Sequence, residues 1–192
     1  MKQRIIVGIS GASGFIYGYQ TLAALQSVAQ VETHLVMSST AQRTRSIETS
    51  FSQADVEALA DVVHKVDDFS ASISSGSFVT AGMIMAPCSM RSLAEIASGV
   101  TTSLLTRAAD VVLKERRRLV LMVRESPIHS GHLQSMLTVS QWGGIIAPPV
   151  PAFYIKPETL DDIVAHSVGK VLDLFGVTTA GLQRWKGTPT DK

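Results

Sequence analysis

The chain has 192 residues, of which 45% are hydrophobic and 17% are charged, and its formal net charge is +1. A chain of this length can bury most of its unfolded surface, so we expect one compact domain over residues 1–192. The near-zero net charge excludes the strong basic field that attracts nucleic acid or an anionic membrane. The single cysteine excludes an intramolecular disulfide, and no apolar run approaches the ~20 residues of a membrane helix. The chain starts in a strand-like run without a signal-peptide pattern, which predicts a cytoplasmic protein.

Short apolar runs alternate along the chain with segments whose apolar residues recur every three or four positions. The runs predict strands at 4–9, 31–37, 82–87, 119–124 and 144–147. The helical spacing covers residues 14–29, 89–98, 103–117, 130–142 and 157–175. Continuously apolar strands separated by helices are typical of a parallel sheet covered on both faces. We therefore predict an open, three-layer α/β fold of the Rossmann or flavodoxin type.

A glycine-rich segment, Gly8-Ile9-Ser10-Gly11-Ala12-Ser13-Gly14, follows the first predicted strand. A Rossmann fingerprint has glycine at the position of Ser10, and a P-loop has a lysine and a hydroxyl residue where this chain has Phe15-Ile16. These differences favour a mononucleotide over NAD or ATP. Backbone N–H groups at the helix start near Gly14 are suited to hold an anion or a flavin edge. From the residues alone, a purely structural tight turn is an equally good interpretation.

Two further polar segments follow predicted strands, Pro87-Cys88-Ser89-Met90 and Arg124-Glu125. Parallel strands end at the same edge of a sheet, and ligands of open α/β folds bind there. We therefore expect the glycine-rich segment and these two segments to meet in space.

Six segments carry a family resemblance: "SGASG", "APCSM", "LLTRAADVVLKE", "RESP", "PPVPAFY" and, near the end, "RW". In this order and at these separations they resemble the UbiX family of flavin prenyltransferases over nearly the whole chain. The resemblance is greatest to the branch that forms the small B subunit of phenolic (hydroxyarylic) acid decarboxylases. The resemblance implies transfer of a dimethylallyl group from dimethylallyl phosphate to reduced FMN. The product, prenylated FMN, then serves a UbiD-type aromatic acid decarboxylase. The resemblance also implies a homo-oligomer, commonly a dodecamer, in which a neighbouring protomer completes the pocket, and it requires no metal.

The resemblance also assigns the flavin site. The residues that it places around FMN are Gly11, Ala12, Ser13, Ser38, Cys88, Ser89, Met90, Arg91 and Arg124. Hydroxyls and backbone amides at helix starts hold a phosphate without a large net charge, which agrees with a chain at +1. We interpret Cys88 as a small buried neighbour of the ligand rather than a nucleophile, because nothing near it in sequence lowers a thiol pKa.

The prenyl donor carries its own phosphate and needs a second anion site. The resemblance supplies Arg107 and Lys114, seven residues apart on one helix face, together with Arg124, Tyr154 and Lys170. Trp185 is expected to close the pocket. Without the resemblance, Lys114 would be read as an ordinary cation at a solvated helix end.

Ser13, Glu48 and Glu125 are the candidates for proton transfer. Glu125 follows a buried strand at the ligand edge, where we expect desolvation to raise its pKa so that it protonates the leaving phosphate. Glu48 matches the acid of the family near the first loop. His129 and His132 lack acidic or sulfur partners at metal-site spacing, so we expect them to pack a helix rather than bind metal.

Two residues depart from the pattern of the family. Phe15 stands where a small residue is usual, so we expect its ring beside the cofactor or the prenyl tail and an altered donor preference. Lys170 replaces a common arginine, which keeps the charge but loses the planar fork that binds phosphate bidentately.

Two alternative functions remain open. An FMN-dependent decarboxylase of the related cysteine-decarboxylase group would carry a PxMNxxMW loop, but this chain has the proline-rich segment 148–154 instead. A non-catalytic FMN carrier or assembly subunit of a decarboxylase complex would need the glycine-rich segment and the Cys88 segment but not Glu125.

Overall fold

A six-stranded, entirely parallel sheet forms the centre of the molecule in the computed structural model, which describes residues 2–180, 182–185 and 187. The strands lie in the order β3-β2-β1-β4-β5-β6. Their bounds are β1 Gln3–Ile9, β2 Val31–Met37, β3 Val62–His64, β4 Gly82–Cys88, β5 Arg118–Val123 and β6 Ile145–Ile146. β1 pairs with β2 from Gln3↔Val31 to Ile9↔Met37 and with β4 from Ile5↔Gly82 onward.

Within the described residues, seven helices connect or cover these strands. Their bounds are α1 Phe15–Gln26, α2 Ser39–Glu48, α3 Gln53–Glu57, α4 Met90–Ser98, α5 Leu104–Lys114, α6 Ser130–Gln141 and α7 Leu160–Asp173. Two short 3-10 turns lie at Ser72–Ser74 and Phe153–Ile155. In the part of the chain that the structure describes, no helix combines the length and apolarity needed to cross a bilayer.

Each face of the sheet has its own apolar core. Alternate residues of β1 point to opposite faces, so Ile5, Val7 and Ile9 pack with residues of α1 and α7, whereas Ile6 packs with residues of α4 and α5. β1, β2, β4 and β5 are buried almost throughout, which explains their largely apolar sequences. The predicted three-layer α/β fold is confirmed.

The structure differs from the prediction at its less apolar elements. α2, α3 and β3 were not predicted, because α2 buries only Ala41 and β3 has three residues. α7 begins at Leu160 rather than at Pro157, because Thr159 and Asp162 form a capping box that fixes the start of the helix.

The strand order places the site. The chain moves from β1 to β2 on one side and returns to β4 on the other side of β1. The connections that leave β1 and β4 therefore diverge to opposite sides, and a cleft opens beyond the carboxyl ends of these two strands. The glycine-rich segment and the Cys88 segment both lie at this edge.

Candidate functional site

Three helices begin at one pocket beyond the carboxyl edge of the sheet. The N-cap residues of α2, α4 and α5 are Ser38, Ser89 and Ser103. Each side chain accepts a hydrogen bond from a backbone N–H in the first turn of its helix, at 3.0 Å for Ser38, 3.2 Å for Ser89 and 3.4 Å for Ser103. All three line a pocket of about 170 Å³ together with Gly11 and Arg91. Helix N-termini carry partial positive charge and free N–H groups, so this pocket is suited to an anion such as a phosphate.

Ser10 joins the two loops at the floor of the cleft. Its hydroxyl donates to the carbonyl of Pro87 at 2.8 Å and accepts from the N–H of Ser89 at 2.7 Å. Its own N–H also donates to the Pro87 carbonyl, at 3.2 Å. The residue that excluded a Rossmann fingerprint therefore fixes the end of β1 against the end of β4, a role that sequence reasoning missed.

Gly11 lies where the glycine-rich loop meets α2. A Cβ atom added at Gly11 would lie 2.5 Å from the Cβ atom of Thr40, so the close approach of the loop and the helix requires glycine here. The Thr44 hydroxyl donates to the Gly11 carbonyl at 3.1 Å. Ala12 is half-buried and Ser13 is exposed at the tip of this loop.

Glu48 occupies the start of α1. Its carboxylate accepts hydrogen bonds from the N–H groups of Gly14 and Phe15, both at 2.9 Å. Partial burial raises the pKa of Glu48. Hydrogen bonds from the Ser13 hydroxyl and from those two N–H groups, together with the nearby Arg124 charge, outweigh the effect of burial and hold the pKa below its ordinary value. A carboxylate of the chain itself thus caps these N–H groups, which favours the structural interpretation of this turn over a ligand anion held at the start of α1.

Arg124 and Cys88 lie side by side at the ends of β5 and β4. The Arg124 N–H donates to the Cys88 carbonyl at 3.2 Å. Arg124 is exposed, and its charge acts on both Glu48 and Tyr17: burial raises the pKa of Tyr17 and the guanidinium offsets part of that rise. Cys88 is fully buried, and burial raises the pKa of its thiol, as expected for a packing residue.

Glu95 is a further residue of the anion pocket that sequence reasoning missed. Its carboxylate accepts from Arg91 Nε at 2.9 Å, from the Thr102 hydroxyl at 2.8 Å and from the Thr106 hydroxyl at 3.1 Å. Partial burial raises the pKa of Glu95, but these hydrogen bonds outweigh it and keep the carboxylate ionised. The residue anchors an arginine and two hydroxyls that line the pocket. Met90, the first residue of α4, packs into the core beneath.

A second cavity, of about 460 Å³, opens beside β5 and α7. Tyr154, His166 and Lys170 line it, together with Ala147, Pro148, Pro149, Val150 and Ala152. The indole of Trp185 lies edge-on to the Tyr154 ring, with 5.7 Å between the centroids. Tyr154, Lys170 and Trp185, which were predicted together, are thus neighbours here.

Arg107 and Lys114 do not reach this cavity within one chain. Arg107 donates to the Ser74 carbonyl at 3.2 Å and pairs with Asp110. Lys114 pairs with Glu115 at the other end of α5, about 15 Å along the helix from the anion pocket. Their assignment to the donor stays a prediction that depends on a neighbouring protomer.

Two other expectations are corrected. Glu125 is exposed, so the desolvation expected for it is absent within the single chain. Phe15 was expected beside the cofactor or the prenyl tail, but it is fully buried, packs in the core between the sheet and α1, and lines neither of the two cavities. The direction of its side chain follows from its place as the first residue of α1, directly above the apolar face of β1.

His129 and His132 pack against each other at the start of α6. Their ring centroids are 3.6 Å apart, and His129 Nδ1 accepts from the N–H of Gly131 as a helix cap. Among the residues that the structure describes, no three His, Cys, Asp or Glu side chains are grouped as a metal site.

The comparisons with known proteins agree with this geometry. Residues 1–172 match the Flavoprotein family. The chain is 56% identical to the flavin prenyltransferase UbiX of Neisseria meningitidis serogroup B, over 97% of this chain and 98% of that one. It is 55% identical to UbiX of Escherichia coli K12, over 96% and 99% of the two chains. The chain belongs to the UbiX family of flavin prenyltransferases.

Solved structures of UbiX proteins have the same fold. AnUbiX (PadA1), crystallised with FMN and dimethylallyl pyrophosphate, superposes with a TM-score of 0.95 at 49% identity, over 98% of this chain and 100% of that one. A dodecameric, FMN-dependent UbiX-like decarboxylase from Escherichia coli O157:H7 superposes with a TM-score of 0.94 at 52% identity, over 96% and 100%. The FMN-dependent cysteine decarboxylase SpaF shares the fold alone, at 16% identity and a TM-score of 0.62.

Proposed function

We propose that this UbiX-family chain transfers the dimethylallyl group of dimethylallyl phosphate to reduced FMN and so makes prenylated FMN. The proposal depends on one observation: more than half of the aligned residues are identical to those of flavin prenyltransferases, over nearly the full length of both chains. The two cavities, one at three helix N-termini and one lined by Tyr154 and Lys170, match a reaction with two phosphate-bearing substrates.

The anion pocket is the proposed place of the FMN phosphate. The N-termini of α2, α4 and α5 supply partial positive charge and free N–H groups, and Arg91 adds a guanidinium that is paired with Glu95. The flavin ring would then lie toward Ala12, Ser13 and Arg124. This arrangement holds the phosphate mostly by dipoles, which suits a substrate that must leave as product.

The second cavity is the proposed place of the donor phosphate. As the carbon–oxygen bond of the donor breaks, negative charge grows on the leaving phosphate while the new bond forms at N5 of the flavin, followed by ring closure at C6. Lys170 and the Tyr154 hydroxyl are placed to stabilise that charge, and such preorganised electrostatic stabilisation is usually the largest catalytic contribution.

Proton transfer is assigned to Ser13, Glu48 and Glu125. Glu48 accepts from Ser13 and is ionised at neutral pH because hydrogen bonds hold its pKa low. Within the relay it is therefore the acceptor that orients the Ser13 hydroxyl rather than a strong base. Glu125 is assigned the protonation of the leaving phosphate, which requires that a neighbouring protomer or the substrates cover it. No step of this account calls for a metal.

The proposal includes the assembly and the partner. We propose a homo-oligomer, supported by the dodecameric relative, in which a neighbouring protomer contributes Arg107 and Lys114 to the donor site. We propose that residues 1–192 act as one domain in the cytoplasm and deliver prenylated FMN to a UbiD-type decarboxylase. The support for this partner comes from the name of the relatives, flavin prenyltransferase, which describes the reaction that would make prenylated FMN and not the protein that receives it.

Activation of a separately purified, flavin-free UbiD-type decarboxylase tests the proposal against a carrier function. The chain is preincubated without oxygen with reduced FMN, with or without dimethylallyl phosphate, and then mixed with the decarboxylase. We expect activation only when the donor is present, and strongly reduced activation with Glu125→Gln but not with Glu158→Gln, an exposed control. Equal activation without donor would show a carrier rather than a transferase.

A further inference from the structure

His166 is a buried polar residue of the second cavity that the proposed reaction leaves unused. It is 4% exposed and lies one helical turn before Lys170 on α7, so both side chains share the helix face that lines the cavity. Its Nε2 atom is 3.1 Å from the Tyr154 hydroxyl oxygen. Both atoms are also 3.3 Å from the carbonyl oxygen of Gln183, so three polar atoms form a triangle.

The hydrogens available to this triangle favour the imidazole tautomer that carries its hydrogen on Nε2. The Gln183 carbonyl only accepts, and the Tyr154 hydroxyl carries a single hydrogen. If Nε2 carried no hydrogen, Tyr154 would have two acceptors and one hydrogen, and one acceptor would have no donor within the triangle. With a hydrogen on Nε2, His166 donates to Tyr154 and Tyr154 donates to Gln183, and all three atoms are satisfied.

The same triangle has a second satisfied arrangement. The Nε2–H of His166 can donate to the Gln183 carbonyl instead, since that oxygen lies 3.3 Å away. The hydroxyl hydrogen of Tyr154 is then free for another acceptor, and the carbonyl keeps a donor. The exchange therefore keeps one protein hydrogen bond on the carbonyl of Gln183, a residue that is itself exposed.

We propose that His166 is a positioning residue for the donor: its Nε2–H takes over the Gln183 carbonyl and releases the Tyr154 hydroxyl to hydrogen-bond the donor phosphate. This inference rests on the proposed function, because it places the donor phosphate in the second cavity. It extends that function by adding a residue that acts through Tyr154 without contacting the substrate itself.

The steady-state dependence of prenyl transfer on dimethylallyl phosphate tests the inference. Losing one hydrogen bond to the phosphate corresponds to a roughly five- to tenfold rise in the donor KM, which we expect for His166→Ala and for Tyr154→Phe. The double variant should have a KM no higher than that of Tyr154→Phe, because both changes remove the same contact. kcat at saturating donor should also fall in both single variants, because the Tyr154 hydroxyl stabilises the charge that grows on the leaving phosphate, whereas the affinity for FMN should change little.

A conservative variant and a packing control separate positioning from simple structure. His166→Gln keeps a side-chain N–H donor and should hold the donor KM within about threefold of the parent value. Val168→Ala, a buried neighbour on α7 that does not line the cavity, should lower the thermal midpoint and leave the donor KM unchanged.

Two results would overturn the inference while the proposed function stands. The first is a double variant whose fold-increase in donor KM equals the product of the fold-increases of the two single variants. The second is a His166→Ala variant with a lower thermal midpoint but an unchanged donor KM. Failure of the proposed function has a different signature, because the parent chain would then form no prenylated flavin and would show no donor dependence.

Discussion

Glu48 and Glu95 organise the two sides of the flavin cleft through hydrogen bonds to groups of the chain itself. Glu48 holds the first N–H groups of α1, and Glu95 holds Arg91, Thr102 and Thr106 at the anion pocket. Neither carboxylate contacts a residue close to it in sequence except Arg91, four residues from Glu95. Their roles depend on tertiary contacts, which is why Glu95 was missed and Glu48 was found only by resemblance.

Glu48→Gln should lower stability in a way that depends on pH. The folded pKa of Glu48 lies below its ordinary value of 4.5, so its stabilisation is complete above that pH and is lost as the pH falls through the folded pKa. We expect the variant to lose about 1 kcal/mol or less at neutral pH, as for a carboxylate at a helix N-terminus. The difference from the parent should vanish in more acidic solution.

Urea unfolding of both proteins, at about pH 7 and at several values below about pH 4.5, checks this prediction. Glu158→Gln serves as the exposed control and should show no such dependence. A deficit that stays constant over the whole range would mean that the Glu48 charge does not contribute to capping α1.

Glu95→Ala should weaken the binding of FMN more than that of riboflavin. Without the carboxylate, Arg91 and the hydroxyls of Thr102 and Thr106 lose their fixed orientation around the pocket. Riboflavin lacks the phosphate, so only FMN depends on these groups. We expect roughly a five- to tenfold loss for FMN and less than about twofold for riboflavin.

Flavin fluorescence titrations of both ligands measure this difference, with Glu158→Gln as the control. Tighter binding of FMN by Glu95→Ala would contradict the account, because it would mean that repulsion between the carboxylate and the phosphate outweighs the orientation that Glu95 provides.

At the scale of elements, α2 shows where prediction from sequence stops. Thr40, Thr44 and Glu48 are spaced by four residues and lie on one face of α2, where they contact the glycine-rich loop and the start of α1. This stripe is polar, and Ala41 is the only residue of α2 that is buried, so apolar periodicity gives no signal. The apolar strands and the helices α1, α5 and α7 were predictable because burial controls their composition.

Gly11→Ala should damage the flavin site through α2. The added Cβ would lie 2.5 Å from both the Cβ and the Oγ1 of Thr40, so the loop and the helix must move apart. Overpacking of this kind typically costs about 1–3 kcal/mol, and here the displaced groups line the anion pocket. We therefore expect a lower thermal midpoint together with weaker FMN binding.

Thermal unfolding and FMN titration of Gly11→Ala are compared with Gly131→Ala, at an exposed position of α6. The Cβ added there meets only the His129 ring, at 3.0 Å, so that variant should keep both properties. Unchanged FMN affinity in Gly11→Ala would contradict the close packing of α2 against the loop.

At the scale of the whole molecule, family motifs identified residues that one chain does not bring together. Arg107 and Lys114 are held along α5 by Ser74, Asp110 and Glu115, away from the cavity of Tyr154 and Lys170. Motif spacing carries no information about which protomer contributes a side chain. Phe15 shows a related limit, because a substitution seen in a loop motif does not reveal that the side chain points into the core.

The most direct measurement of the central claim is the mass of the flavin itself. The purified chain is incubated without oxygen with reduced FMN and dimethylallyl phosphate, and the released flavin is analysed by mass spectrometry. The account predicts FMN that has gained one five-carbon prenyl unit, with little product from Glu125→Gln. FMN that binds but is recovered unmodified, with either the monophosphate or the diphosphate donor, would contradict the transferase and favour a carrier.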